Sequence, residues 1–259
     1  TGKIRIETPN HARALLPGFG FNVKALPILS VFGGVHKGFA PPSASLYQKA
    51  ESSVNVEMGM RLTTNKMKLE AIVFNNNYSN MLGSDLAAQG GQGTLEQFNV
   101  GKAMVNGLEL MFQYLPLPKH FAFQLPIQLS YTYTNTQMKN DFESSAWGHV
   151  HYGDEIPYIY KHAFNAQISL EHKRVEANFG ARFNGDMRTT PGQGKIAERE
   201  KIPAHVILDA TLKVHVNKNI TISLNAINLA NKKYLVSRHP SGLRAGHPLG
   251  IYCGLRLQL

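Results

Sequence analysis

The chain of 259 residues has one cysteine, one tryptophan, no long apolar run and no basic tract. Each absence closes off a class of protein. A lone thiol excludes an internal disulfide framework, and Cys253 sits among alternating apolar residues as a small hydrophobe. No stretch approaches the roughly 18 consecutive apolar residues of a membrane helix, and helix-forming residues are not grouped into amphipathic runs. Carboxylates are scarce, with 17 Asp and Glu against 27 Lys and Arg, a net charge of +10. That excess favours anionic ligands or lipid. The basic residues are scattered singly, so nothing resembles a nucleic-acid stripe, and no nucleic-acid partner is expected. The chain opens on TGKIRIETPNHAR, without an initiator Met or an export signal, which implies a removed leader or the end of a longer polypeptide.

What the chain does have is period-two alternation, together with 23 Gly and 13 Pro, a turn-rich β composition. Near the C-terminus Leu249, Ile251, Cys253, Leu255, Leu257 and Leu259 alternate with Gly250, Tyr252, Gly254, Arg256 and Gln258. A strand sends successive side chains to opposite faces, so this segment has one apolar face and one polar or small face. Similar runs predict about eleven strands, near 17–25, 28–38, 53–65, 67–79, 99–114, 121–136, 162–172, 174–185, 205–217, 219–228 and 247–259. Pro126 is the one awkward member of its run. Several of these strands run to ten residues or more, about twice the ordinary globular length.

The connections alternate strictly. Those at 26–27, 65–66, 115–120, 172–173 and 217–219 are short. Those near 39–52, 80–98, 137–161, 186–204 and 229–246 are long and rich in Gly, Pro, Asn and charge. Nothing in a soluble sandwich requires all its long loops to emerge at one end. An outer-membrane barrel does require this, with short periplasmic turns and longer extracellular loops. The apolar face of the terminal strand then looks at outer-membrane lipid, while Arg256 and Gln258 look at the lumen.

Eleven strands is an odd number, and an open sheet of that kind leaves unpaired backbone groups on both edges, at several kcal/mol each in hydrocarbon. Upstream strands are therefore expected to complete a larger barrel.

Several motifs resemble the C-terminal half of TonB-dependent outer-membrane receptors. They are GVHKGFAPPS at 34–43, KAESSVNVEMGMR at 49–61, NVGKAMVNGLEL at 99–110, GDEIPYIYKHAFN at 153–165 and, best of all, LNAINLANKKYLVS at 224–237. The closest branch is that of the receptors for ferric dicitrate and related ferric chelates. The resemblance implies an all-β fold: a long antiparallel meander forming the C-terminal half of a barrel of about 22 strands. Residues 1–259 then form a partial barrel with five long extracellular loops and no plug domain. It further implies a bacterial outer-membrane location, transport rather than catalysis, a ferric chelate as transported ligand and no permanently bound cofactor. The implied partners are the TonB complex, reached through the missing plug, and the barrel-assembly machinery, reached through Leu249–Leu259. The family usually ends in an aromatic residue where this chain has Leu259.

Ferric chelates of the citrate type are anionic, so Arg, Lys and polar groups should converge on the vestibule. Lumen-side candidates are Arg182, Asn184 and Arg188; loop candidates are Lys195, Arg199, Arg238 and Arg244. The competing role for each is a solvated charge or a lumen ion pair with Glu57 or Asp209. His149 and His151, two apart beside Asp154 and Glu155, are candidate ligands for a metal or haem iron. The family's haem signature is not met, because Phe39-Ala40-Pro41-Pro42 lacks its Arg. Glu198/Glu200 and Asp154/Glu155 are the carboxylate pairs an enzyme could use. No nucleophile or oxyanion donor stands at a recognisable spacing from either, and QGGQGT at 89–94 precedes no helix. The alternatives are a self-contained passive porin or adhesin barrel, its twelfth strand drawn from 2–16, and a receptor for haem or another metal.

Overall fold

A computed structural model describes residues 13–41, 49–84, 97–118, 120–144, 147–238 and 242–258. The strands are β1 (Gly18–Leu26), β2 (Leu29–Ala40), β3 (Glu51–Thr63), β4 (Met67–Ser84), β5 (Gln97–Tyr114), β6 (Phe123–Gln124), β7 (Ile127–Met138), β8 (Phe142–Ser144) and β9 (Gly148–Val150). They continue as β10 (His162–His172), β11 (Val175–Asn184), β12 (Met187–Arg188), β13 (Lys201–Ile202), β14 (His205–His215), β15 (Ile220–Ile227), β16 (Leu235–Ser237), β17 (Arg244–Ala245) and β18 (Gly250–Leu257). One sheet runs β1-β2-β3-β4-β5-β7-β10-β11-β14-β15-β18, with β6 paired to β10, and every pairing is antiparallel. Among the described residues β1 and β18 are its two edges. No helix there is long and apolar enough to cross a membrane.

Antiparallel partners share a face, so the register fixes both surfaces. One row reads Val23, Val31, Met60, Ala71, Leu110, Tyr131, Phe164, Phe183 and Val206 across successive strands. The opposite row reads Asn22, Phe32, Gly59, Ile72, Glu109, Thr132, Ala163, Asn184 and His205. The apolar face is left open: Val23 is 55% exposed, Met60 49% and Val206 46%. An uncovered apolar surface of this breadth is foreign to a water-soluble domain and is what a lipid-facing barrel wall presents. Above the band the outward rows turn to amides, with Asn75, Asn106 and Asn135 in register. A buried apolar cluster lies beyond that amide row, where Val100, Ala103, Met138, Val150 and Ile156 meet under the loops.

The family motifs acquire local reasons. Phe32 lies over the bare face of Gly59, where a side chain would collide with its ring, and the Arg61 guanidinium stands 5.1 Å from the Phe32 ring centroid while pairing with Glu70. Phe74 covers Gly107 in the same way. An aromatic ring laid on a strand glycine replaces the packing that the glycine lacks. In Asn228-Leu229-Ala230-Asn231, Asn228 is fully buried with φ of +53°. Its Nδ2 donates to the carbonyls of Lys232 at 3.0 Å and His247 at 2.8 Å, and its Oδ1 accepts from the Lys232 N–H at 2.9 Å. Asparagine tolerates this left-handed backbone and closes the turn with its own amide.

Most expected strand ends fall within a few residues of the observed ones, with three differences. The strand expected over 121–136 is split at Pro126, which has no N–H to give the ladder; its carbonyl still accepts from the Ser169 N–H at 2.9 Å. β4 and β5 continue to Ser84 and from Gln97, so a hairpin projects past the amide row. The connections 137–161, 186–204 and 229–246 contain the hairpins β8–β9, β12–β13 and β16–β17. Leu259, residues 2–12 and residues 89–94, which entered the expectations above, lie outside the described residues.

Candidate functional site

On the polar face of the sheet, below the long loops, the ends of β11 and β14 bring Arg182, Asn184, His205 and Asp209 together. Strand parity alone puts all four on that face. Asp209 is held by the motif turn, its Oδ1 accepting the Asn228 N–H at 2.9 Å. Its other oxygen faces Arg182 at 3.4 Å. The Arg182 side chain is 50% exposed, so this pair is worth at most about 1 kcal/mol. An anionic ligand can therefore draw Arg182 away at small cost. Arg182 also lines a shallow trough along the wall with Asn165, Gln167, Ser130 and Gln128.

Above Arg182 an aromatic group forms. His205 is buried, its ring centroid 4.7 Å from that of Tyr234 and 6.2 Å, edge-on, from that of Tyr160. Its Nδ1 lies 3.1 Å from the Pro203 carbonyl and so carries the proton, which leaves Nε2 as an acceptor 3.5 Å from the Asn184 amide. Burial, with Tyr234 adding to it, pushes the Tyr160 hydroxyl above its ordinary value.

The roof over this wall is one bonded assembly of three connections. Arg188 is buried, and its Nε donates to Glu155 Oε2 at 2.9 Å and its Nη2 to the Gly194 carbonyl at 3.1 Å. Glu155 also accepts from Lys161 at 2.9 Å. Burial opposes the charged form of Glu155, but the hydrogen bonds from Lys161 and Arg188 outweigh it and hold the carboxyl below its usual range. Arg238 donates to the carbonyls of Lys201 at 2.7 Å and Glu198 at 3.1 Å. The Tyr158 hydroxyl stands 3.5 Å from Ser237 Oγ.

The candidates from the sequence therefore divide. Arg182 and Asn184 stand on the polar face of the sheet, at the loop end of β11. Arg188 and Arg238 have their guanidinium groups engaged within the roof. Lys195, Arg199 and Arg244 are exposed on the loops. His149 and His151 sit on or beside the β8–β9 hairpin, 3.4 Å from Glu143 and 4.0 Å from Asp141 respectively. Among the described residues no three metal-ligating side chains converge there or elsewhere. Tyr160, His205 and Tyr234 were not anticipated as site residues. The lumen parity of His205 with Asp209 was a signal for that residue; Tyr160 and Tyr234 lie outside regular strands and gave none.

Comparison with known proteins bears on this wall. The family model described as "TonB dependent receptor-like, beta-barrel" matches residues 3–229. The probable TonB-dependent siderophore receptor PiuA of Acinetobacter baumannii is 27% identical over 149 residues, 55% of this chain and 19% of that protein. The crystal structure of the ferric-catecholate import receptor Fiu from E. coli K12 superposes with a TM-score of 0.69 at 21% identity, over 93% of this chain and 34% of that one. The unliganded ferric citrate transporter FecA gives 0.72 at 18% identity, over 93% and 38%. The chain thus spans well under half the length of each of these three proteins, and at these identities the structural likeness establishes the fold.

Proposed function

Because this chain belongs to the TonB-dependent receptor β-barrel family, a family of bacterial outer-membrane transporters rather than enzymes, we propose that it is the C-terminal wall of a receptor importing an anionic ferric chelate. The chelate is of the citrate or siderophore type. PiuA, Fiu and FecA, by their descriptions, serve a siderophore, ferric catecholates and ferric citrate. The observation that carries the reading is the half-free cation at Arg182, beside Asn184 and the Tyr160–His205–Tyr234 group, on the polar side of a sheet whose other side is lipid-compatible. That β1 and β18 are sheet edges among the described residues supports completion of the barrel by further strands. In this proposal coupling to the TonB complex belongs to a plug outside these residues, and β18 is offered to the barrel-assembly machinery.

The test is equilibrium binding of iron-labelled ferric citrate and a ferric catecholate to the complete barrel carrying this chain. Arg182→Gln is expected to weaken the bound chelate roughly tenfold or more, the loss of one charge-assisted contact. Lys66→Gln, on an exposed short turn away from the site, serves as control. Unchanged affinity for every chelate in Arg182→Gln would overturn the proposal.

A further inference from the structure

The opposite end of the same wall holds a second concentration of positive charge, with no part in the site above. One ladder row there contains Arg174, His215, Thr221 and Arg256: the Arg174 carbonyl accepts the His215 N–H at 2.8 Å, His215 pairs with Thr221, and Thr221 with Arg256. The row lies on the polar face, two residues beyond Glu176, Lys213, Ser223 and Gly254. At about 4.8 Å between strands the two arginines stand roughly 14 Å apart at Cα. His215 and Thr221 form the floor between them.

What faces this row decides its chemistry. Glu176 has both carboxylate oxygens engaged, one 3.2 Å from Lys213 Nζ and the other 3.0 Å from His215 Nε2. His215 Nδ1 is in turn 3.0 Å from Thr221 Oγ1, so the imidazole is held at both ends. Glu171 lies next to Glu176 on β10, the side away from β14. Arg174 and Arg256 are exposed and form no ion pair among the described residues. The turns on either side add Lys173 and Lys218 to the same concavity. Between Asp209 and the Glu176–Lys213 pair lies one uncharged row, where Asn178, Thr211 and Asn225, with Ser169 and Gln167 beside them, hydrogen-bond among themselves.

We propose that Arg174 and Arg256 form a second anion site at the periplasmic mouth of the lumen, which takes the carboxylates of a small polyanionic chelate leaving the barrel. The site rests on the transport reading and extends it. A chelate released from Arg182 passes the uncharged row and the Glu176–Lys213 pair, whose charges answer each other, then meets two guanidinium groups that have no carboxylate partner among the described residues. Arginine suits this role because its planar fork engages a carboxylate through two donors.

The two stations are read independently by arginine modification. The complete barrel in lipid nanodiscs is treated with phenylglyoxal, and the rate at each arginine is followed by peptide mass spectrometry. Ferric citrate at about ten times its dissociation constant is expected to slow modification of Arg174 and Arg256 together, by about tenfold. Arg13, exposed ahead of β1 and in neither site, should not change. Protection at Arg182 reports the outer site. Protection of Arg182 with none at Arg174 and Arg256 overturns the second site and leaves the receptor reading standing; absence of protection at Arg182 counts against that reading. Equal protection by chloride at matched ionic strength shows mere screening and overturns the site. So does protection by an oligoglutamate peptide but not by ferric citrate, which assigns the patch to an acidic polypeptide. Arg174→Gln/Arg256→Gln, checked for β-type circular dichroism, should lose the inner protection of neighbouring Lys173 and Lys218 from lysine-directed acetylation while keeping that of Arg182.

Discussion

The sheet and the loop roof above it are held together by opposite means. Interior strands of the sheet are answered group for group by their neighbours' backbones, from Gly18 paired with His36 to Ile220 paired with Leu257. Side chains there decide which face meets lipid and add little else. In the roof the ladder is reduced to two- and three-residue hairpins, and long-range side-chain bonds take over. Arg188 reaches Glu155 across 33 positions, Arg238 reaches Lys201 across 37 and Gln193 reaches Tyr152 across 41. A sheet of this kind tolerates most polar exchanges on its lumen side. The roof depends on a few charges.

The sharpest break of this contrast is on the lipid side of the sheet. Phe179, midway along β11 on the apolar face, pairs with Ile168 and Ala210. Phe179→Arg should lower the unfolding free energy in lipid vesicles by about 2–4 kcal/mol, the penalty of a cation near the bilayer midplane. Gln128→Arg, on the lumen face, should change it by no more than about 0.5 kcal/mol. Equal effects from the two would mean that the apolar face does not lie in hydrocarbon.

A smaller and local effect is expected in the roof. Glu155→Gln leaves the Arg188 guanidinium, 5% exposed, without its carboxylate, at a cost of about 1–2 kcal/mol. Trp147, the one tryptophan of the chain, packs against the cluster that includes Ile156 and reports the change by fluorescence. Loop opening should register there while the global unfolding midpoint stays put. A shift of that midpoint as large as the one for Phe179→Arg would show that roof and sheet unfold as one unit.

Acid should reproduce this loosening more gently. The Glu155 carboxyl is held below its usual range in the folded roof, so it binds its proton more weakly folded than unfolded. Its stabilisation is therefore fully present above the unfolded carboxylate value and is lost as pH falls through the depressed folded one. The Trp147 signal should report a looser roof in acid, with the sheet's far-ultraviolet dichroism unchanged over the same range. In Glu155→Gln the same descent should leave the Trp147 signal nearly flat.

How much was legible beforehand follows the same division. The alternation of Val206, Leu208, Ala210, Leu212 and Val214 against Asp209, Thr211, Lys213 and His215 marked β14 and both its faces. The like alternation of Val175, Ala177, Phe179, Ala181 and Phe183 put Arg182 and Asn184 on the opposite, polar face of β11. Pro126 announced its own break. Nothing in the spacing of Arg188 set it apart from Arg182, yet one is buried in the roof and the other stands half free on the wall. Arg238 reads in the sequence as a loop cation and stands in the fold as a tie between two connections. Tyr160 and Tyr234 are 74 positions apart along the chain and meet only because both flank His205.

The strands of the large sheet, its short turns and the choice of which side chains face lipid were determined by the sequence alone, because a strand's two faces follow from a two-residue period that needs no partner to define it. Which charges are free and which are bound was decided by tertiary structure alone. An ion pair depends on where two distant segments come to rest, and that position is set by the stacking of strands between them rather than by either segment's own residues.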